Sequence, residues 1–229
     1  MSGLNISALS RLNQVARALH VRDSDVSATL DCIVQQAAEG LGVANQAGII
    51  LLEHGRLEPH ATAGEVSRKL DLLQQESNEG PCLEAARTQQ LVVVDDTADD
   101  DRWPGLASQA LDLGVHSMLC APLTVDDHTL GALGLYADRP HVFTDDSRLL
   151  ATIYATLASL ALANAQQARQ LTEALLNRDI IGQAKGILME RHKISADQAF
   201  RLLVAASQRR NIKLSEIAHR MTETGDLTA

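Results

Sequence analysis

Residues Asn177–Thr224 read NRDIIGQAKGILMERHKISADQAFRLLVAASQRRNIKLSEIAHRMTET, a stretch that divides into three helices. Ser195-Ala196-Asp197-Gln198 has the form of a capping box and marks where the second helix begins. Behind it, Ala199, Phe200, Leu203 and Ala206 read as a buried face, and Leu214, Ile217, Ala218 and Met221 as the inward face of a short third helix. On the first helix Arg178, Gly182, Lys185, Gly186 and Met189 recur at intervals of three and four, which puts them on one side. A glycine inside a helix costs about 1 kcal/mol relative to alanine. Two of them imply close approach by another backbone, whether from the protein itself or from a nucleic acid.

Charge separates this stretch from the rest of the chain. The 229 residues carry a net charge of −9, which would ordinarily argue against a nucleic-acid partner. Residues 1–165 hold 10 Lys/Arg and 22 Asp/Glu, a net −12, whereas residues 176–220 hold 9 Lys/Arg and 4 Asp/Glu, a net +5. Screening confines a surface field to roughly 8 Å at physiological salt, so a basic module can attract phosphate beside an acidic body. The same cations also fit an ordinary solvated helix face.

Upstream, the chain runs without proline from Asp146 for more than forty residues. Sevenfold spacing picks out Leu150, Leu157, Asn164, Leu171 and Arg178, partnered by Ile153, Leu160, Gln167, Ala174 and Ile181. This is the pattern of a coiled-coil seam with a polar layer at Asn164 and Gln167, which predicts a homodimer. The alternative is one long helix whose first half only covers a sheet.

Further upstream lie strand-like runs at 47–52, 56–62, 91–94, 118–125 and 129–136, with hairpin turns at His54-Gly55 and Asp126-Asp127-His128. Helices are predicted over Leu4–Leu19, Val26–Glu39, Val66–Gln75 and Leu106–Leu113. Strands joined partly by hairpins and partly by helices give an antiparallel sheet with helices packed on it. Cys32, Cys82 and Cys120 are odd in number and widely spaced, with no CxxC, so neither a disulfide framework nor a zinc site is expected. With no signal-peptide pattern, that points to a reducing cytoplasm. The most apolar run, Ala151–Ala163, is shorter than the roughly 20 residues of a spanning helix, so no membrane is expected. The eight histidines form no evident metal cluster, and no cofactor is expected.

Two resemblances sharpen this reading. Residues 22–165 resemble a GAF sensory domain through EGPCLEAART (Glu79–Thr88), VVVDDTADDDRWPG (Val92–Gly105) and the series running from Met118 to Leu150. Such domains bind small molecules or dimerise, and the resemblance leaves the ligand unidentified. Residues 170–229 resemble an ANTAR domain, a family of three-helix modules that bind RNA hairpins in nascent bacterial transcripts. Here Ala184-Lys185-Gly186 and Ser207-Gln208 match the family's recurring positions. The resemblance implies an RNA-facing set of Lys185, Arg178, Gln183, Gly186, Arg191, Ser207, Arg209 and Lys213. Val204 stands where relatives commonly have arginine, which removes one candidate phosphate contact. The expected organisation is an N-terminal helix (1–21), an α+β GAF domain (22–165), a coiled-coil helix overlapping its end (146–176) and an all-α ANTAR module (170–229). The implied function is non-enzymatic antitermination of transcription through tandem leader hairpins.

Two rival readings remain. Some GAF-fold proteins reduce methionine sulfoxide with cysteines, and Cys82 stands in a GPC string at a helix start, an electropositive position suited to a reactive thiol. The second cysteine of that family would fall within Trp103–Leu111, where this chain has none. A protein-binding dimeric adaptor, with the helical tail as its dock, is the other.

Overall fold

A computed structural model describes residues 26–53 and 56–226. The helix expected over Leu4–Leu19 and the His54-Gly55 turn lie outside the described residues. The chain divides into two compact units, one ending at Ala165 and the other beginning at Gln166.

The first unit is built on five antiparallel strands: β1 (Gln46–Glu53), β2 (Arg56–Ala63), β3 (Val92–Val94), β4 (Ser117–Val125) and β5 (His128–Ala137), in the order β2-β1-β5-β4-β3. β4 and β5 meet in a two-residue hairpin. Asp126 and Asp127 have φ of 46° and 63°, and Val125 pairs with His128. Positive φ at both loop positions matches the twist of the flanking strands.

Both faces of the sheet are covered. On one face α1 (Val26–Leu41) buries Leu30, Ile33, Val34 and Ala37, at the helical spacing of three, four and seven. They pack with Ile49, Leu51, Leu119, Ala121, Leu133 and Leu135, and with Ala151, Tyr154, Ala155 and Ala158 of α5 (Asp145–His192). On the other face lie α2 (Glu65–Ser77), α3 (Pro81–Thr88) and α4 (Pro104–Asp112), packed on Ile50, Met118, Cys120, Ala132 and Tyr136. The sequence marked only the start of α3, at Cys82; Pro81 opens it at a position where the missing N–H costs nothing.

The second unit contains the end of α5, then α6 (Ala196–Arg210) and α7 (Leu214–Thr224). Ala184, Leu188, Ala199, Leu203, Ala206, Ile217, Ala218 and Met221 form its core. The predicted capping box is present: Gln198 N–H donates to Ser195 Oγ at 3.3 Å, and Ser195 N–H donates to Gln198 Oε1 at 2.9 Å.

Over an 18-residue window α5 is long and apolar enough to cross a membrane by length and composition, with mean hydropathy 1.3, which the Ala151–Ala163 run alone did not suggest. In this protein 44% of that window is buried. Ala151, Ala155 and Ala158 lie against the sheet, where small side chains let a helix approach closely.

Ala158 is fully buried at this contact. Replacing it by leucine overpacks the helix–sheet contact and is expected to cost about 1–3 kcal/mol. Chemical denaturation followed by circular dichroism should show that loss, and the exposed control Thr156→Leu should not.

Candidate functional site

The surface of the second unit follows from its small core. The inward stripe of α6 is Ala199, Leu203 and Ala206, spaced by four and three. Phe200 lies one position, about 100°, round the helix from Ala199. It was expected in the core, but the structure leaves it 40% exposed. The Lys185 ammonium stands 5.9 Å from the centroid of its ring.

The expected RNA-facing residues divide by what holds them. Arg178, Gln183, Gly186, Arg209 and Lys213 are exposed, and Lys185 is half-buried. Ser207 Oγ donates to the Ile212 carbonyl at 2.6 Å, which pins the turn after Asn211, the left-handed C-cap of α6 with φ 54°. Arg191 Nη1 donates to the Gly225 carbonyl and so ties the end of α5 to the C-cap of α7. Ser207 and Arg191 therefore have structural roles inside the module. Val204 is half-buried. A Cβ at Gly182 or Gly186 would meet nothing within 4 Å. Packing within the described chain therefore does not require glycine at either position.

The expected dimer seam also divides. Leu150 is only 8% exposed and belongs to the interior of the first unit, so its place in an exposed seam is corrected. Ile153 is half-buried, and Leu157 packs against the sheet core. Leu160 and Leu171 are 49% and 61% exposed, and Asn164 is exposed as well. Leu175 and Leu176, which the heptad spacing passed over, are also largely exposed.

The first unit holds a second site that sequence reasoning missed. Tyr136 Oη donates to Asp71 Oδ1 at 2.6 Å and accepts from Gln74 Nε2 at 3.3 Å. Gln74 Oε1 in turn accepts from the Cys82 backbone N–H at 2.9 Å. Cys82 Sγ lies 3.4 Å from Tyr136 Oη and 3.0 Å from Cys120 Sγ, both thiols being free. All five residues are buried. Two facing glycines make the room. Gly48 pairs with Gly134, and Gly134 with Cys120, in one row across the sheet. A Cβ on Gly48 would overlap Asp71 Oδ2, and one on Gly134 would stand 2.5 Å from Tyr136 Oη and 2.8 Å from Cys82 Sγ.

Burial raises the Asp71 carboxyl from its ordinary 3.8 to about 7, opposed in part by the Tyr136 hydrogen bond. Its Oδ2 is buried with no hydrogen-bond partner among the described residues. Burial also pushes the Tyr136 phenol and the Cys120 thiol well up. Nearby, Arg56, Leu57, Gln75, Glu76, Asn78 and Leu83 line a cavity of about 610 Å³. No group of three or more metal-ligating side chains occurs among the described residues.

An antiparallel sheet with helices on both faces, followed by a basic three-helix module, places the chain among two-part proteins of α+β and all-α construction. Comparison with known families makes this specific. The GAF domain model matches residues 23–163, and the ANTAR domain model matches residues 169–221. The chain therefore belongs to the GAF domain family and carries an ANTAR domain after it. Among solved structures, it resembles the GAF domain of a phosphoenolpyruvate-protein phosphotransferase from Coxiella burnetii, with 18% identity, TM-score 0.58, and 72% of this chain and 98% of that one covered. The corresponding domain from Acinetobacter is also 18% identical, with TM-score 0.56 and coverage of 74% and 99%. Free methionine-R-sulfoxide reductase from Neisseria meningitidis, in complex with its substrate, is 19% identical, with TM-score 0.56 and coverage of 73% and 96%. At these identities the likeness is one of fold. A comparison with curated proteins gave no match.

The raised Asp71 pKa has a definite sign. The folded state holds this proton more tightly than the unfolded chain, so the stabilisation is full below about pH 4 and is lost as pH rises through about 7. The lost contribution is on the order of 4 kcal/mol at most. Denaturation of wild type and Asp71→Asn between pH 5 and pH 8.5 should therefore show the wild-type advantage shrinking as pH rises.

Proposed function

We propose that this protein is an RNA-binding regulator of transcription termination whose GAF domain senses a signal and whose ANTAR domain grips hairpins in a nascent transcript. The observation that carries this reading is the ANTAR match over a module of net charge +5 that presents Arg178, Gln183, Lys185, Arg209 and Lys213 around two uncovered glycines. Lys185 is the central contact. It shares its helix with two glycines whose missing side chains leave backbone that a phosphate can approach closely.

The regulator acts in the cytoplasm as a homodimer, pairing through exposed helical positions that include Leu160, Asn164 and Leu171. Each subunit holds one of two successive hairpins, and binding stabilises that RNA fold over the competing terminator. No bond is made or broken, so the protein is not an enzyme. A small molecule of unidentified kind enters the GAF domain, for which the cavity beside α2 and α3 has the volume. It can act only through different affinity for the RNA-competent and RNA-incompetent arrangements. A redox activity is the weaker reading, because the sulfur neighbour of Cys82 is Cys120 on β4 rather than a cysteine in Trp103–Leu111.

Two measurements test this reading. Titration of the full protein with tandem stem-loop RNAs of randomised loops should yield binders whose affinity falls steeply with salt, since phosphate contacts release counterions. Lys185→Ala should lower the slope of log affinity against log salt by about 1 with circular dichroism unchanged. Failure of the wild type to bind any such RNA at low salt would overturn the function. Separately, sedimentation should show a dimer that Leu171→Asp splits, since a charge in an apolar seam is costly. A persistent dimer would place the interface elsewhere.

A further inference from the structure

The exposed ring on α6 extends this RNA-binding reading to a second kind of contact. Phe200 is the one aromatic residue between Asn177 and Thr224, and it stands outside the module's core cluster. Leu202 and Met189 are 41% and 37% exposed, so the module carries apolar surface together with its positive charge. A phenyl ring has no hydrogen-bonding group. What covers it must offer a flat or apolar face. With a lysine against the ring and a net charge of +5 around it, the complementary partner also carries negative charge at short range.

Single-stranded nucleic acid meets both conditions, because each nucleotide joins an aromatic face to a phosphate. We propose that Phe200 is a stacking platform for one unpaired loop base of the bound RNA, with Lys185 holding an adjacent phosphate. This rests on the RNA-binding function proposed above. The Lys185 ammonium lies within cation–π range of the ring, which orients both groups. Phe200 is 40% exposed, and the proposed base stacks on that open surface. A lone aromatic stacks one base and no run of them, so loop sequence is read mainly by hydrogen bonds from neighbouring polar side chains.

The two groups leave different signatures. Stacking is insensitive to salt, whereas a phosphate contact is not. The tightest tandem stem-loop selected from the randomised pool by wild-type protein serves as the probe, with 2-aminopurine placed at each loop position in turn. Phe200→Ala in the full-length chain is expected to weaken binding roughly 5- to 150-fold with the salt slope unchanged. It should also abolish fluorescence quenching at one loop position. Phe200→Trp should restore both affinity and quenching. Lys185→Ala should lower the salt slope while leaving some quenching. Thermal melts of each variant check the fold.

If Phe200→Ala binds the selected RNA as tightly as wild type, or if tryptophan fails to rescue it, the stacking proposal is overturned while the RNA-binding function stands. If Phe200→Ala changes only self-association, the ring is a contact between copies and the proposal is again overturned. Absence of any salt-dependent binder to wild-type protein removes the underlying function itself.

Discussion

A sheet that is apolar on both faces must be covered on both, and most of the first unit follows from that requirement. Ile49 and Leu51 face one side of β1 while Gly48 and Ile50 face the other. The same alternation puts Leu119, Ala121, Leu133 and Leu135 with the first set, and Met118, Cys120, Ala132 and Tyr136 with the second. Strands buried on both sides read as continuous apolar runs rather than as alternating ones. The chain answers with α1 and the alanine-rich start of α5 over one face and three shorter helices over the other. The two faces differ in kind. One is packed with hydrocarbon, whereas the other holds a carboxyl, an amide, a phenol and two thiols.

That difference explains which parts of the architecture were legible. Strand runs, the hairpin at Asp126-Asp127, the capping box at Ser195 and the inward stripes of α1 and α7 each carry a local pattern of spacing or turn chemistry. The polar cluster carries none. The buried face of α2 is Ser67, Leu70, Asp71 and Gln74, at the spacing of an apolar stripe but mostly polar, while Leu72 is exposed on the opposite side. A periodicity argument seeks leucines and so looks away from this face. The meeting of Cys82 with Cys120 depends on how α3 packs over β4, which brings together residues 38 apart in sequence. Glycines at 48 and 134 gave a faint signal, since glycine inside a strand marks close approach, but only pairing shows that they face one another.

In the second unit the limits were different. The core of the module is small and alanine-rich, and a large apolar residue beside its stripe need not fit inside. Phe200 reads as part of one buried face with Ala199, Leu203 and Ala206, yet a single step along a helix from Ala199 is enough to leave that face. Arg191 and Ser207 illustrate a different limit. Both are polar and both match the RNA-facing pattern, and each also donates to a backbone carbonyl just beyond a helix end. A basic or hydroxyl side chain near a helix terminus can serve the fold before it serves a ligand. Lys185 differs from them in lying mid-helix, away from either end of α5.

The glycines on either side of Lys185 limit what the module is for. Each lowers helix stability by about 1 kcal/mol, and a Cβ added at either would meet nothing within 4 Å. Alanine would fit at both positions without touching anything and would strengthen the helix. In the RNA complex proposed above, the missing methyl groups would let a sugar-phosphate backbone come nearer to α5 and so offset that cost. A sugar-phosphate backbone approaching there would find the Lys185 ammonium on the same helix face and the Phe200 ring beside it, so that charge, open backbone and aromatic surface coincide in one patch.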